Sequence, residues 1–346
     1  MNPIRFDADA ARLLSAQYKF DESRALASVL ESARGISRQA AASQLRRWVA
    51  AGLLREDGNH RPKRYSLCCL AREARTFELD EFDEHVVWTD AIRPIIARYA
   101  DAATMRIWDY GATEMLNNAK DHSEGTSVKV SVAITGAFAT MLISDNGEGI
   151  FRRLTRLCAL PDERLAILEL AKGKLTTDPA RHSGEGIFFT SRAFDRFQIH
   201  SGNLIFDHTD RHEDMLTDGA NTKQGTVVAL RLCHFTERSL RTIFDEYTEM
   251  DDNEGLSRFN KTVIPVRLAR FGSESVVSRS QAQRLLARIE RFHTVIFDFA
   301  DIDTIGQGFA DEIFRVFHQQ RPEVKLKITN ANDDVQYMIN RVGGTR

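Results

Sequence analysis

The chain has 346 residues, 42% hydrophobic and 28% charged, with a formal net charge of −2. These are the proportions of an ordinary globular protein with length for two or three domains, and they exclude a disordered or fibrous chain. No apolar run is long enough to span a bilayer and MNPIRFDADA lacks the apolar stretch of a signal peptide, so no membrane association is expected and the protein is assigned to the cytoplasm. Cys68, Cys69, Cys158 and Cys233 show no metal-ligand spacing and are expected to be reduced.

Taken in chain order, the first organised stretch is basic. Between Glu31 and Leu67 lie Arg34, Arg38, Arg46, Arg47, Arg55, Arg61, Lys63 and Arg64 against Glu31, Glu56 and Asp57, a local excess of 8 − 3 = +5. Residues 22–33 have the spacing of an amphipathic helix, Gly35-Ile36-Ser37 supplies a turn and an N-cap, and RQAAASQLRRWVAAG predicts a second helix closed by Gly52. Leu53-Leu54-Arg55, a turn at Asp57-Gly58 and Lys63–Leu67 predict a hairpin. Over residues 1–70 this resembles a winged helix-turn-helix, with Ser37 to Ala51 as recognition helix and Asn59 to Lys63 as wing tip. Double-stranded DNA is the implied partner, met by Arg38, Gln39, Gln44, Arg46 and Arg47 from the helix and by Arg61 and Lys63 on phosphates. A winged helix used for protein contact, with solvated arginines, is the alternative.

Residues 71–103 read as a connector whose stretch EFDEHVVWTDAIRPIIARYA predicts helix, and His85 within it as a structural histidine. Next comes EMLNNAKDH at 114–122. In a helix, Glu114 and Asn118 share a face and Asp121 lies one turn further along it. An Asn118 amide oxygen suits Mg²⁺, which prefers a few protein oxygens together with phosphates and waters. Glu114 is then placed to polarise an attacking water or hydroxyl. MLISDNGEGI predicts a buried strand ending in a glycine-rich turn. There Asp145 can accept a hydrogen bond from the exocyclic amine of adenine, while Gly147 and Gly149 let backbone approach a base and sugar. SGEG at 183–186 opens a predicted helix whose N-terminal N–H groups suit a phosphate. Taken singly, each segment has a bland reading: an ordinary Asp/Asn/Gly turn, a plain helix start, or solvated helix residues.

Together the three segments resemble the N box and the two glycine boxes of the GHKL ATPases, over roughly residues 75–235. The resemblance implies ATP and Mg²⁺ as cofactors. It implies Glu114 as general base, Asn118 as magnesium ligand, Asp121 as a contact near the adenine and Asp145 as the adenine reader. Gly147, Gly149, Gly184 and Gly186 would make backbone contacts, and Thr226, in Gly225-Thr226-Val227-Val228, would lie beside the adenine amine. Residues 150–183 occupy the place of the family's lid, with Lys172, Lys174, Arg181 and His182 within reach of phosphates or merely solvated. Strands are expected near 196–208 and 225–232, with a polar loop at 209–224.

A helical linker is expected at 236–260. Beyond it TVIPVRLA, SQAQRLLARIERF, TVIFDFADID, GFADEIFRVFHQQ, VKLKITN and DVQYMINRV alternate strand and helix, predicting a small α/β sheet. Residues 261–346 resemble the STAS-like domains of anti-sigma-factor antagonists. Their phosphorylated serine is replaced here by Ile305, before Gly306, and Thr304 reads as an N-cap or structural hydroxyl. The fold expected is therefore multidomain α+β: winged helix-turn-helix, GHKL α/β sandwich (residues 71–235), linker, STAS-like domain. The function expected is that of a slow Mg-dependent ATP hydrolase acting as a nucleotide-gated, DNA-binding regulator, a homodimer with a protein partner at the STAS-like domain. An anti-sigma-type serine/threonine kinase and a non-catalytic ATP-binding scaffold are the alternatives.

Overall fold

The computed structural model describes residues 5–17, 22–24, 26–57, 63–175, 184–209, 212–218, 224–250, 257–270 and 274–343. The chain forms two compact units, each assembled from separate segments: Met1–Glu148 with Ala193–Ile199 and Gln224–Ser239, and Gly149–Arg192 with His200–Lys223 and Leu240–Arg346. These units cut across the boundaries drawn from composition at 70, 235 and 260.

In the first unit, antiparallel strands lie in the order Ala71–Glu78, Ser127–Ile134, Phe138–Asp145 and Thr226–Cys233, with Arg196–Ser201 next. Alternation sets the buried side. Val128, Val130, Val132 and Ile134 are buried, as are Ala139, Met141, Ile143 and Asp145 on the neighbouring strand, in the period-2 pattern of a half-buried sheet. Helix Ala102–His122 packs on strands Phe138–Asp145 and Thr226–Cys233. Asp101 caps its first turn, its carboxylate accepting from Thr104 N at 2.7 Å, which satisfies an N–H that helix geometry leaves open. Met105, Trp108, Ala112, Met115 and Leu116 form the apolar stripe, and Trp108 meets Phe194 edge-to-face at 4.8 Å.

Two expectations need correction here. Residues 71–78 form an edge strand rather than part of a helical connector, and their exposed Arg72, Glu73 and Arg75 are charges of the kind that discourage further strand pairing. Residues 22–24 form a strand paired with Arg64–Ser66 and not the start of a helix, which runs Leu26–Arg34. Tertiary pairing overrides the helical spacing there. Helix Arg38–Ala50 starts as expected, with the Ser37 hydroxyl accepting from Ala40 N at 3.2 Å. Gly52 follows it at φ +71°, and the ribbon Leu54–Asp57 pairs with Arg64–Leu67. This module shares one apolar core with the sheet: Phe6, Ala10, Leu14, Leu30, Leu45, Trp48, Leu53 and Tyr65 are buried together with Ala137, Phe138 and Cys233.

The second unit contains helices Ile150–Leu157, Glu163–Lys172, Gly186–Ala193 (through Arg192) and Leu240–Tyr247, a hairpin Leu204–Thr209 with His212–Asp218, and a short pair Thr248–Met250 with Ser257–Phe259. The hairpin corrects the expectation of a loop across 209–224. Parallel strands then lie in the order Lys261–Pro265, Thr294–Asp298, Lys325–Thr329. They alternate with helix Arg279–Leu286, a helical run at 307–320 and helix Asp333–Arg341, as right-sized crossovers between parallel strands require. Ser278 and Gln281 form a capping box on the first of these helices. Thr304 is exposed and is not an N-cap, since Gly306 takes that position without a side-chain hydrogen bond. Among the described residues no helix is long and apolar enough to cross a membrane.

Candidate functional site

The site in the first unit is built where a helix end meets a strand end. Asp145 closes strand Phe138–Asp145, only 9% exposed, and the following DNG turn folds back on the residues after helix Ala102–His122. Ser123 O accepts from Glu148 N at 3.0 Å. Asn146 locks the two together: its amide oxygen accepts from Thr126 N at 2.9 Å and Ser127 N at 3.0 Å, and its amide nitrogen donates to Thr126 Oγ1 at 2.9 Å. This places the turn carrying Asn118 and Asp121 at the same end of the sheet as Asp145.

One oxygen of Asp145 is fixed by backbone, accepting from Gly147 N at 2.9 Å and Thr226 N at 3.1 Å. The other makes no hydrogen bond among the described residues. Burial raises the Asp145 pKa above the ordinary carboxylate value, opposed by the Gly147 and Thr226 N–H groups. Two glycines make this arrangement sterically possible. A Cβ on Gly147 would fall 1.9 Å from Ser123 O, and one on Gly225, at φ +96°, would fall 2.1 Å from Asp145 O. Gly147 was expected to serve a ligand; it already has a structural reason to be glycine.

On the helix, Glu114 and Asn118 are half-buried and Asp121 is exposed. The Asn118 amide nitrogen contacts Met115 Sδ at 3.8 Å, and its oxygen has no partner among the described residues. A half-buried neutral oxygen of this kind fits Mg²⁺ held mainly by phosphates and water. Glu114 sits one turn earlier.

The remaining expected residues lie in the second unit. Gly149 has φ +95° and is the N-cap of helix Ile150–Leu157. Gly184 has φ +72° and no room for a side chain, since a Cβ would lie 2.6 Å from the carbonyl of Leu175. Gly186 opens helix Gly186–Ala193. Lys174 is committed to acceptors of its own unit, donating to Asn260 Oδ1 at 3.0 Å and Arg291 O at 3.1 Å, with its ammonium 4.9 Å from the Phe292 ring centre. Arg181, His182 and Ser183 lie outside the described residues.

In the basic N-terminal module, Ala41, Leu45 and Trp48 bury one face of helix Arg38–Ala50, leaving Arg38, Gln39, Arg46 and Arg47 exposed and Gln44 half-buried. Arg38, Arg46 and Arg47 form no ion pair among the described residues. The ribbon differs: Lys63 pairs with Glu56 at 2.5 Å and Arg55 with Asp57 at 2.9 Å, so the local basic excess resides on the helix. Arg61 lies outside the described residues.

Sequence reasoning missed Ser123, which carried no local signal, and Asn146, whose signal was the DNG turn itself, because an Asn in a turn often bonds neighbouring backbone. It also missed the role of Lys172, fully buried and ion-paired with Glu169 at 2.7 Å. An i,i+3 acid–base pair in the otherwise apolar run Leu165–Lys172 was its only mark. Residues 281–336 match the family model described as a STAS-like domain of unknown function (DUF4325). The C-terminal part of the chain is thus STAS-like, in keeping with the parallel three-strand arrangement. No curated protein matches the chain.

Proposed function

We propose that the protein is a Mg-ATP-binding hydrolase of GHKL type that acts as a nucleotide-gated regulator, contacting double-stranded DNA through its N-terminal module. The observation that carries the reading is Asp145. A buried carboxylate with one oxygen fixed by two backbone N–H groups and the other unengaged among the described residues is a preorganised acceptor for the amine of adenine, and it would meet an oxygen in guanine. Asn118 and Glu114, at the same end of the sheet, supply the rest. Mg²⁺ bound at Asn118 Oδ1 would neutralise phosphate charge. Glu114 accepts the proton of the water that attacks the γ-phosphorus, and ADP leaves. Gating follows from linkage, since ATP shifts a conformational equilibrium only by its difference in affinity for the two states.

The test is release of labelled phosphate from γ-labelled ATP by the purified protein with Mg²⁺. Glu114→Ala should keep ATP binding and lose at least about 100-fold in rate, the scale of general-base catalysis. Asn118→Ala should lose Mg-dependent binding. Label retained on protein would replace hydrolase by kinase, and absence of ATP binding by the wild type would overturn the reading.

A further inference from the structure

Helix Glu163–Lys172 was expected to belong to a lid. Its residues Leu165 to Lys172 are instead buried without a break, the pattern of a helix enclosed on all sides. At its end lies a charge that burial makes costly. Lys172 is 1% exposed and its ammonium is fully satisfied: Glu169 Oε1 at 2.7 Å, Ala287 O at 2.8 Å, Arg284 O at 3.1 Å. Arg284 and Ala287 sit at the C-terminal end of helix Arg279–Leu286 of the STAS-like part, where open carbonyls and the negative end of the helix dipole attract a cation. Lys172 therefore caps a helix about 110 residues downstream, as the separation of 112 to Arg284 records.

The next residues continue the grip. Thr262, fully buried, donates its hydroxyl to Lys172 O at 2.7 Å. Gly173 has φ +82° and is pressed between Phe259 and Phe188, 2.8 and 2.9 Å from where a Cβ would stand. Lys174 donates to Asn260 and Arg291 O, and Arg291 donates back to Lys174 O. The second glycine segment rests on this strip. Gly184 abuts the Leu175 backbone, Phe188 packs on Phe259 at 4.7 Å and Tyr247 at 4.9 Å, and Arg192 donates to Ala171 O at 3.4 Å.

We infer that Lys172 is a positioning residue through which the STAS-like domain sets the conformation of the turn Gly184–Gly186, so that a partner bound to this domain changes how firmly helix Gly186–Ala193 is held. The coupling stands on contacts within the second unit and does not depend on the proposed ATP reading. A partner that draws helix Arg279–Leu286 away removes two of the three ammonium acceptors and loosens 172–175, on which Gly184 lies. A partner that holds the helix in place keeps the turn formed.

The experiment uses the full chain carrying Lys172→Met with Glu169→Leu, a pair that removes both fully buried charges, keeps an apolar volume and leaves the partly exposed Arg288, 3.7 Å from Glu169, to solvent. Lys172→Arg serves as a second variant. Hydrogen exchange without nucleotide reads the coupling: amides of 184–192 in the double variant should exchange at least about ten-fold faster than in wild type, with helix Ala102–His122 unchanged. Unchanged exchange at 184–192 overturns the inference.

Discussion

The N-terminal module and the STAS-like domain are both fastened to other parts of the chain, by opposite physical means. The first is joined to the turn at 134–138 through apolar packing. Phe6 and Trp48 meet edge-to-face at 5.0 Å, Phe6 N donates to Gly136 O at 3.3 Å, and a Cβ on Gly136 would stand 2.7 Å from Leu53 and 2.9 Å from Phe6. The second holds 172–175 through a buried ammonium, a buried carboxylate and helix-end carbonyls. Apolar contact is non-directional and tolerates small shifts, whereas a buried ion pair stabilises one geometry and penalises all others. A permanent joint is expected to look like the former, and a joint that reports a position like the latter.

Breaking the joints should expose that contrast. Lys172→Met alone leaves the buried Glu169 carboxylate with only the longer Arg288 contact at 3.7 Å and should cost up to about 3–5 kcal/mol, while the double change with Glu169→Leu restores most of it, since the Arg288 side chain is about one-third exposed. Phe6→Ala should cost about 3 kcal/mol by cavity formation, and adding Trp48→Ala should cost more rather than less. Urea midpoints of the four variants check this, and a Phe6/Trp48 pair that showed rescue would erase the distinction between the two joints.

A second test uses acid on the unit that holds the apolar joint. His234 is fully buried, with Nε2 at 2.9 Å from Thr135 O and its ring stacked on Tyr99 at 5.7 Å. Burial pushes its pKa down to about 4 from an ordinary value of 6.5. Between those values the unfolded chain binds a proton that the folded protein refuses. Stability is therefore fully present above pH 6.5 and declines as pH falls towards about 4, by about 3 kcal/mol in all. In His234→Gln, whose amide can still bond Thr135 O, the slope of unfolding free energy against pH in that window should fall by about 1.4 kcal/mol per pH unit. An unchanged slope would show that the imidazole titrates normally in the folded state.

How much of this was legible beforehand depends on the range of the physics involved. Helix Arg38–Ala50 announced itself through Ser37 and Gly52, and strand Phe138–Asp145 through its apolar run, because caps and period-2 alternation are local. The six alternating segments at the C-terminus likewise carried the STAS-like arrangement. Strands Ala71–Glu78 and Glu22–Arg24 did not announce themselves, since AREARTFE and ESR become strands only by pairing with Ser127–Ile134 and Arg64–Ser66. At the candidate site, the shared helix face of Glu114 and Asn118 and the strand-end place of Asp145 were readable from spacing. The Asn146 bridge and the steric need for glycine at 147 and 225 were not, because they arise where chain segments far apart in sequence meet. Lys174 shows the same limit: as a letter it is a surface cation, and in the structure it is bound to Asn260 and Arg291.

The smallest effect on stability should come from the residues with the largest proposed effect on a partner. Arg46 and Arg47 are exposed on the face of helix Arg38–Ala50 opposite Leu45 and Trp48, so replacing both by Ala should leave stability within about 0.5 kcal/mol. If that face meets DNA phosphates, each lost contact releases one fewer counterion. Binding should then weaken most at low salt, and the slope of log affinity against log salt should become shallower by nearly one for each phosphate contact removed. Lys63→Ala should do less, because Glu56 already holds that ammonium at 2.5 Å. Fluorescence anisotropy of a labelled duplex across a salt series separates these outcomes. A double variant that binds with wild-type slope would leave Arg46 and Arg47 as solvated surface and move the role of this module to protein contact.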